Sequence, residues 1–196
     1  MGQIEIKSAD EATKDHVLRS IAIGFAADPI ARWNWPQASI YYEAMPRFAY
    51  GFGGESFGAG TAFYAGNYDC VSMWLPPGKN PNPDLIGPVF AETAPPEIGE
   101  DLEDFFGQLM AARPMDREHW YLTMICTDPA KRNQKLGEAI MRHVLDICDR
   151  DGVLAYLESS NPLNMPFYER LGFEVCGRVQ AGSSPVFTPM KREPQK

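Results

Sequence analysis

The stretch from Trp120 to Gly137 constrains the fold of this chain most. Trp120 to Cys126 is apolar and strand-like, Thr127-Asp128-Pro129 breaks it, and Leu136, Ile140, His143, Val144 and Ile147 then recur at helical spacing. A strand, a short turn and a helix together make an anion site. The first-turn amides have no partner within the helix, and the helix dipole favours negative charge. The spacing therefore predicts a phosphate-bearing ligand at residues 132–137. The plainer alternative is a solvated connection whose Lys131, Arg132 and Lys135 are surface charges. Neither a Gly-Lys-Ser/Thr run nor a triple-glycine fingerprint is present, so P-loop and dinucleotide-fold readings lack their residues.

A second motif lies downstream, from Tyr156-Leu157-Glu158-Ser159-Ser160-Asn161 through Pro162-Leu163-Asn164-Met165-Pro166-Phe167-Tyr168 to Glu169-Arg170-Leu171-Gly172-Phe173. Taken with Thr127-Asp128-Pro129 and Arg132-Asn133-Gln134-Lys135-Leu136-Gly137, it resembles the acetyl-CoA-binding core of the Gcn5-related N-acetyltransferase (GNAT) superfamily. The resemblance is close over about residues 118–190 and loose over the first hundred. It implies an α/β (α+β) fold, with a mixed, mostly antiparallel central sheet flanked by helices on both faces. Lys135 stands where the family has its first glycine. A lysine with ordinary helical angles still presents its N–H there, and its ammonium either pairs with phosphate or crowds it.

The resemblance also implies site residues. Ile125, Cys126 and Thr127 would meet the pantetheine arm. The backbone of Arg132, Asn133, Gln134, Lys135, Leu136 and Gly137 would meet the pyrophosphate, and Asn161 and Asn164 would lie beside the arm. Tyr168 would stand near the thioester sulfur as the acid. Its ordinary pKa near 10 keeps it protonated at neutral pH. An ammonium acceptor must lose a proton before it attacks, which makes Glu158, at the end of its strand, the candidate base. His119, at the start of a strand, is expected at a remote surface position. Cys126 has no activating histidine, so direct attack is expected rather than a covalent enzyme step.

The chain has 196 residues and a formal charge of −8, ample for one hydrophobic core and unsuited to general nucleic-acid binding. The expectation is a single acyl-CoA-dependent N-acyltransferase domain over 1–196, with a cofactor-binding core at 118–178. The four cysteines Cys70, Cys126, Cys148 and Cys176 show no close pairing or zinc spacing, and there are only three histidines. They are expected as buried small hydrophobes, with no metal. Nothing at the start resembles a signal peptide, and no apolar run reaches the roughly 20 residues of a membrane span, so a soluble cytoplasmic protein is expected.

In the first half, Gln3–Lys7 alternates as a strand, and Ser8 and Asp10 are placed to cap a helix marked by Val17, Ile21 and Phe25. Pro29 suits the first position of a second helix after Asp28. The aromatic stretch that follows either packs helices on the sheet or, through Trp33, Trp35 or Tyr41, lines an acceptor pocket. Gly51 to Gly60 reads as a flexible passage with no helix after it. Thr61–Tyr64 and Cys70–Leu75 read as antiparallel strands. Residues 76–117 read as an ordered, proline-rich excursion with helical spacing in Leu102, Phe105, Phe106 and Leu109, either covering the acceptor site or packed as a surface flap.

The function implied is acetyl transfer from acetyl-CoA to a primary amine of a small molecule, by direct attack with both substrates held together. Two alternatives stay open, a degenerate acyl-CoA-binding sensor and a peptide or protein N-acetyltransferase. No nucleic-acid or membrane partner is expected, and monomer and homodimer are both open.

Overall fold

The computed structural model describes residues 4–196, so Gln3 of the expected first strand lies outside the described residues. In chain order come β1 (Ile6–Ala9), α1 (Lys14–Gly24), α2 (Pro29–Asn34), α3 (Ala38–Gly53), α4 (Glu55–Ala59), β2 (Ala62–Ala65) and β3 (Cys70–Leu75). These are followed by α5 (Pro83–Thr93), α6 (Gly99–Ala112), β4 (His119–Thr127), α7 (Leu136–Asp151), β5 (Leu154–Ser159), α8 (Met165–Arg170), β6 (Glu174–Val175) and β7 (Thr188–Arg192).

The strands form one seven-stranded sheet in the order β1-β2-β3-β4-β5-β7-β6. Every neighbouring pair is antiparallel except β4 and β5. Parallel neighbours need a long crossover, which α7 supplies. Alternation along the strands separates two cores. On one face Val71, Met73, Leu75, Tyr121, Met124 and Tyr156 pack under α1, α3 and α5. On the other, Trp74, Trp120, Leu122, Ala155 and Leu157 pack against Ile140, Val144 and Cys148 of α7 and Leu171 after α8.

Two irregularities shape the middle of the sheet. The β3–β4 register passes from Met73 opposite Met124 to Trp74 opposite Leu122, which leaves Thr123 bulged, its Oγ1 donating to the Met73 carbonyl at 3.0 Å. The β4–β5 pairing runs only from His119–Leu154 to Leu122–Leu157. Past that point β4 continues beside β3 alone, and a wedge opens between it and β5. No helix among the described residues is long and apolar enough to cross a membrane.

Several expectations need correcting. Gly51 and Gly53 are the last turn of α3, and α4 follows at once, so this is not a flexible passage. A Cβ on Gly53 would stand 2.4 Å from Thr123 Oγ1, so the glycine lets α3 approach the bulge. Ser8 lies in β1 and donates to the Gly60 carbonyl rather than capping α1, whereas Asp10 Oδ1 accepts from the amides of Ala12 and Thr13 just before it. The buried stripe of α7 runs Ile140, Met141, Val144, Leu145, Cys148, and His143 is exposed. Cys70 and Cys148 are buried, Cys126 half-buried and Cys176 exposed.

Candidate active site

The wedge is where the chain can hold ligands. One side is β4 beyond Leu122. The floor of the groove is the segment 131–138, and the other side is Asn161, Leu163, Asn164, Phe167 and Tyr168. The groove encloses about 810 Å3. Its floor is unusual in two backbone positions: Asn133 and Lys135 have φ of 64° and 61°. Lys135 is the N-cap of α7 and makes no side-chain cap. The first bond of the helix is from the Ala139 amide to the Lys135 carbonyl at 3.0 Å. The amides of residues 136–138 are therefore left without a partner inside a 16-residue helix, the arrangement that binds anions.

Lys135 thus does not take the ordinary helical angles expected of it. It occupies the left-handed conformation that costs an L-residue roughly 1–2 kcal/mol, with its side chain exposed. The helix begins at Leu136. Gly137 faces the groove, and a Cβ there would touch only Thr127 Oγ1 at 3.7 Å and Phe167 at 3.8 Å. Lys131, Arg132, Lys135 and Arg170 surround the groove, and Lys131 alone among them reaches a carboxylate, Asp69, at 3.9 Å. These features fit a diphosphate-bearing carrier such as coenzyme A. Leu136 is half-buried and packs on the α7-side core, while its backbone stays at the groove.

Ile125 and Thr127 line the groove from β4. Cys126 lines it too, but its thiol turns toward α1 and donates to the Ser20 carbonyl at 3.3 Å. Burial pushes its pKa far up and keeps the thiol protonated. Gly24 accommodates this contact, since a Cβ there would stand 2.4 Å from that of Cys126. Asn161 Oδ1 accepts from the Leu163 amide at 3.0 Å and fixes the turn into α8.

A second cavity, about 80 Å3, opens on the α1–α6 face and shares Phe25, Asp28, Ile125, Asn164 and Tyr168 with the groove. Its walls are Trp35, Phe48, Phe52, Phe105, Phe106 and Phe187, with Glu158 and Asn34 among them. Tyr168 is 7 % exposed and lines both cavities. Burial raises its pKa well above the usual phenol value, and the nearby Asp28 carboxylate raises it further. Its hydroxyl is a proton donor at any ordinary pH.

Glu158 ends β5 beside the place where β4 departs. Its Oε1 is buried without a hydrogen-bond partner. Desolvation pushes its pKa up to about 7, against the opposing pull of the Tyr121 and Tyr156 hydroxyls and the Arg113 guanidinium. A carboxyl group poised near neutrality suits proton transfer. His119 is at the far end of β4, remote as expected but buried rather than on the surface. Its Nε2 accepts from Arg113 Nε and its Nδ1 faces the Arg117 carbonyl, both at 2.9 Å. Burial lowers its pKa and holds it neutral.

Of the three aromatic residues expected around an acceptor, Trp35 alone lines the cavity, its indole stacked on Phe90 at 5.3 Å and donating to Thr93 Oγ1. Trp33 turns away to donate to Ser183 Oγ. Tyr41 is fully buried with its hydroxyl on the Ala22 carbonyl at 2.8 Å. Trp33, inside α2 and two residues before Trp35, faces a different side of the segment, and Tyr41 belongs to α3, beyond the interruption at Trp35–Gln37.

Sequence reasoning passed over Asp28. It caps α2, accepting from the amides of Ile30 and Ala31 at 3.0 and 3.1 Å, and its other oxygen accepts from Ser160 Oγ at 2.5 Å. It is buried, its pKa raised by desolvation, and it lines both cavities. The Asp-Pro pair announced a helix start, but nothing local announced the contact across 132 residues.

The family model described as acetyltransferase (GNAT) domain matches residues 105–194, which include the groove floor and Tyr168. Residues 105–194 are thus similar to a GNAT acetyltransferase domain. An uncharacterized N-acetyltransferase of Schizosaccharomyces pombe is 24% identical over 125 residues, covering 58% of this chain and 51% of that protein. The match thus spans about half the length of that relative. Among solved structures, an acetyltransferase related to histone acetyltransferase HPA2 from Corynebacterium glutamicum superposes with a TM-score of 0.68 at 20% identity, over 100% of this chain and 98% of that one. An agmatine N-acetyltransferase superposes with a TM-score of 0.67 at 14% identity, over 98% and 100%. At these identities the superpositions establish the mixed α/β GNAT fold across the whole chain.

Proposed function

We propose that this chain transfers an acetyl group from acetyl-CoA to the primary amine of a small molecule, with both substrates held together. The observation that carries the reading is Tyr168, which lines the donor-rich groove and the Glu158 cavity at once. Residues from both halves of the sequence line that second cavity, which supports one catalytic domain over 1–196.

Acetyl-CoA supplies the activated acyl group as a thioester. The amides of 136–138 and the surrounding cations hold its diphosphate end, and the free edge of β4 at Ile125 and Thr127 guides the arm toward Tyr168. Asn161 and Asn164 flank that path. Glu158 takes a proton from the incoming ammonium, and Tyr168 holds a proton at Oη toward the departing sulfur. Burial of both groups strengthens these interactions relative to water. The aromatic walls and the small volume favour a small, slender amine over a peptide terminus. The amine acceptor class is also that of the agmatine N-acetyltransferase that shares the fold.

The experiment is an acetyl-CoA titration followed by a free-thiol assay over a panel of amines. Saturable binding with thiol release dependent on a primary amine is expected. Tight binding with only slow hydrolysis for every acceptor would instead identify a sensor, and turnover confined to peptides would overturn the small-molecule assignment.

A further inference from the structure

The acceptor cavity contains a polar group that the transfer chemistry does not use. Asn34 ends α2, is 5 % exposed and lines the cavity, and its Oδ1 is buried without a hydrogen-bond partner. A buried amide left unpaired is costly, and native interiors rarely keep one without a reason. The other lining residues of its own segment, Ile30, Ala31 and Trp35, are apolar or aromatic. None of them offers a donor, since the Trp35 indole N–H is already committed to Thr93.

The position of Asn34 along α2 sets the length of what it would read. Asp28 caps the start of this helix beside Ser160 and near Tyr168. Asn34 lies six residues further on, which at the rise of an α-helix is about 9 Å from Asp28. The cavity therefore has a polar reacting end at Asp28, Tyr168 and Glu158, an apolar middle, and a second polar point about one and a half helical turns away.

We propose that Asn34 is a specificity-determining residue whose Oδ1 accepts a hydrogen bond from a second donor, a hydroxyl or N–H, at the far end of an amine with an apolar or aromatic body. The proposal rests on the acetyl-transfer reading and narrows its substrate class to elongated amines with donors at both ends. An amine without the distal donor would leave Oδ1 unpaired in the complex, whereas the matching amine pays no such penalty.

A matched pair tests this: 4-hydroxyphenethylamine, with the distal donor, and phenethylamine, without it. For the wild-type protein kcat/KM should favour the hydroxylated amine by roughly tenfold or more, the usual consequence of one buried hydrogen bond. In Asn34→Leu that ratio should fall to near one, with the loss residing in KM. Calorimetric binding of the two amines to the protein alone should show the same preference and the same collapse, so Asn34 is read even where no transfer occurs. Equal handling of the two amines by the wild type, or a preference that survives Asn34→Leu, would overturn the proposal. Acetyl-CoA titration separates the two readings: failure to bind it strikes the transferase assignment, while normal binding and turnover without an amine preference strike only Asn34. Should Asn34→Leu fail to fold, Asn34→Ala takes its place, with the same collapse expected and a surviving preference overturning the proposal.

Discussion

Replacing Glu158 with glutamine should slow the enzyme and stabilise the protein, and the stabilisation should grow with pH. The carboxyl group is held at about 7 against an ordinary value of 4.5, chiefly by desolvation. Between these values the folded chain binds a proton that the unfolded chain has released. Stability from this site is thus present below pH 4.5 and lost as pH rises through 7. A tenfold change in proton affinity is worth about 1.4 kcal/mol, so the full cost of the ionised carboxylate approaches about 3 kcal/mol well above neutrality, an order-of-magnitude figure. Between about pH 5.5 and pH 8 the wild type should lose about 2 kcal/mol that Glu158→Gln keeps. At roughly 2–4 °C per kcal/mol for a chain of this size, that is a gap in Tm widening by several degrees. Thermal denaturation of both proteins across that range reads the gap directly. A gap independent of pH, or a variant less stable than wild type at pH 8, would refute the desolvation argument. In the transfer assay the wild-type rate should rise through pH 7 as the base ionises, and the variant should lose that limb.

Further expectations concern single groups. Tyr168→Phe should lower kcat by about 10²-fold, with acetyl-CoA affinity in a calorimetric titration within about twofold of wild type, because a hydroxyl is removed and the ring is kept. Gly137→Ala meets only ordinary contacts in the chain itself; its melting temperature should match wild type, while the added methyl should weaken acetyl-CoA binding. Lys135→Gly removes a left-handed lysine and should raise stability by up to about 1 kcal/mol, the relief at Lys135 offset in part by unfolded-chain entropy. Gly24→Ala should do the reverse, costing about 1–3 kcal/mol by overpacking against Cys126, as read by chemical denaturation.

The local patterns in the sequence carried far. The strand–turn–helix at Trp120–Gly137, the alternating hairpin ending at Leu75 and the helical spacing of Leu102, Phe105 and Leu109 all correspond to elements of the structure. Their signals lie within a few turns of chain, where propensity and period act. The phase of α7 was harder, because His143 sits at helical spacing yet rests edge-on against Phe63 at the exposed margin. The angle of Lys135 was hidden for another reason: a left-handed lysine is held by the surrounding fold and has no composition of its own. The proposed acceptor cavity was least legible. Trp33, Trp35 and Tyr41 look alike in sequence, and only their long-range partners, Ser183 for Trp33, Thr93 for Trp35 and Ala22 for Tyr41, separate the one in the cavity from the others. Asp28 and Asn34 acquire meaning through partners more than a hundred residues away or through having no partner at all.

The four residue pairs that join β4 to β5 are the whole seam between a four-stranded leaf and a three-stranded one. A long ligand seated in the opening would act as a rivet, supplying cohesion where the backbone supplies none. Hydrogen exchange at 123–127 and 158–159 should therefore slow more on cofactor addition than exchange anywhere in the outer strands.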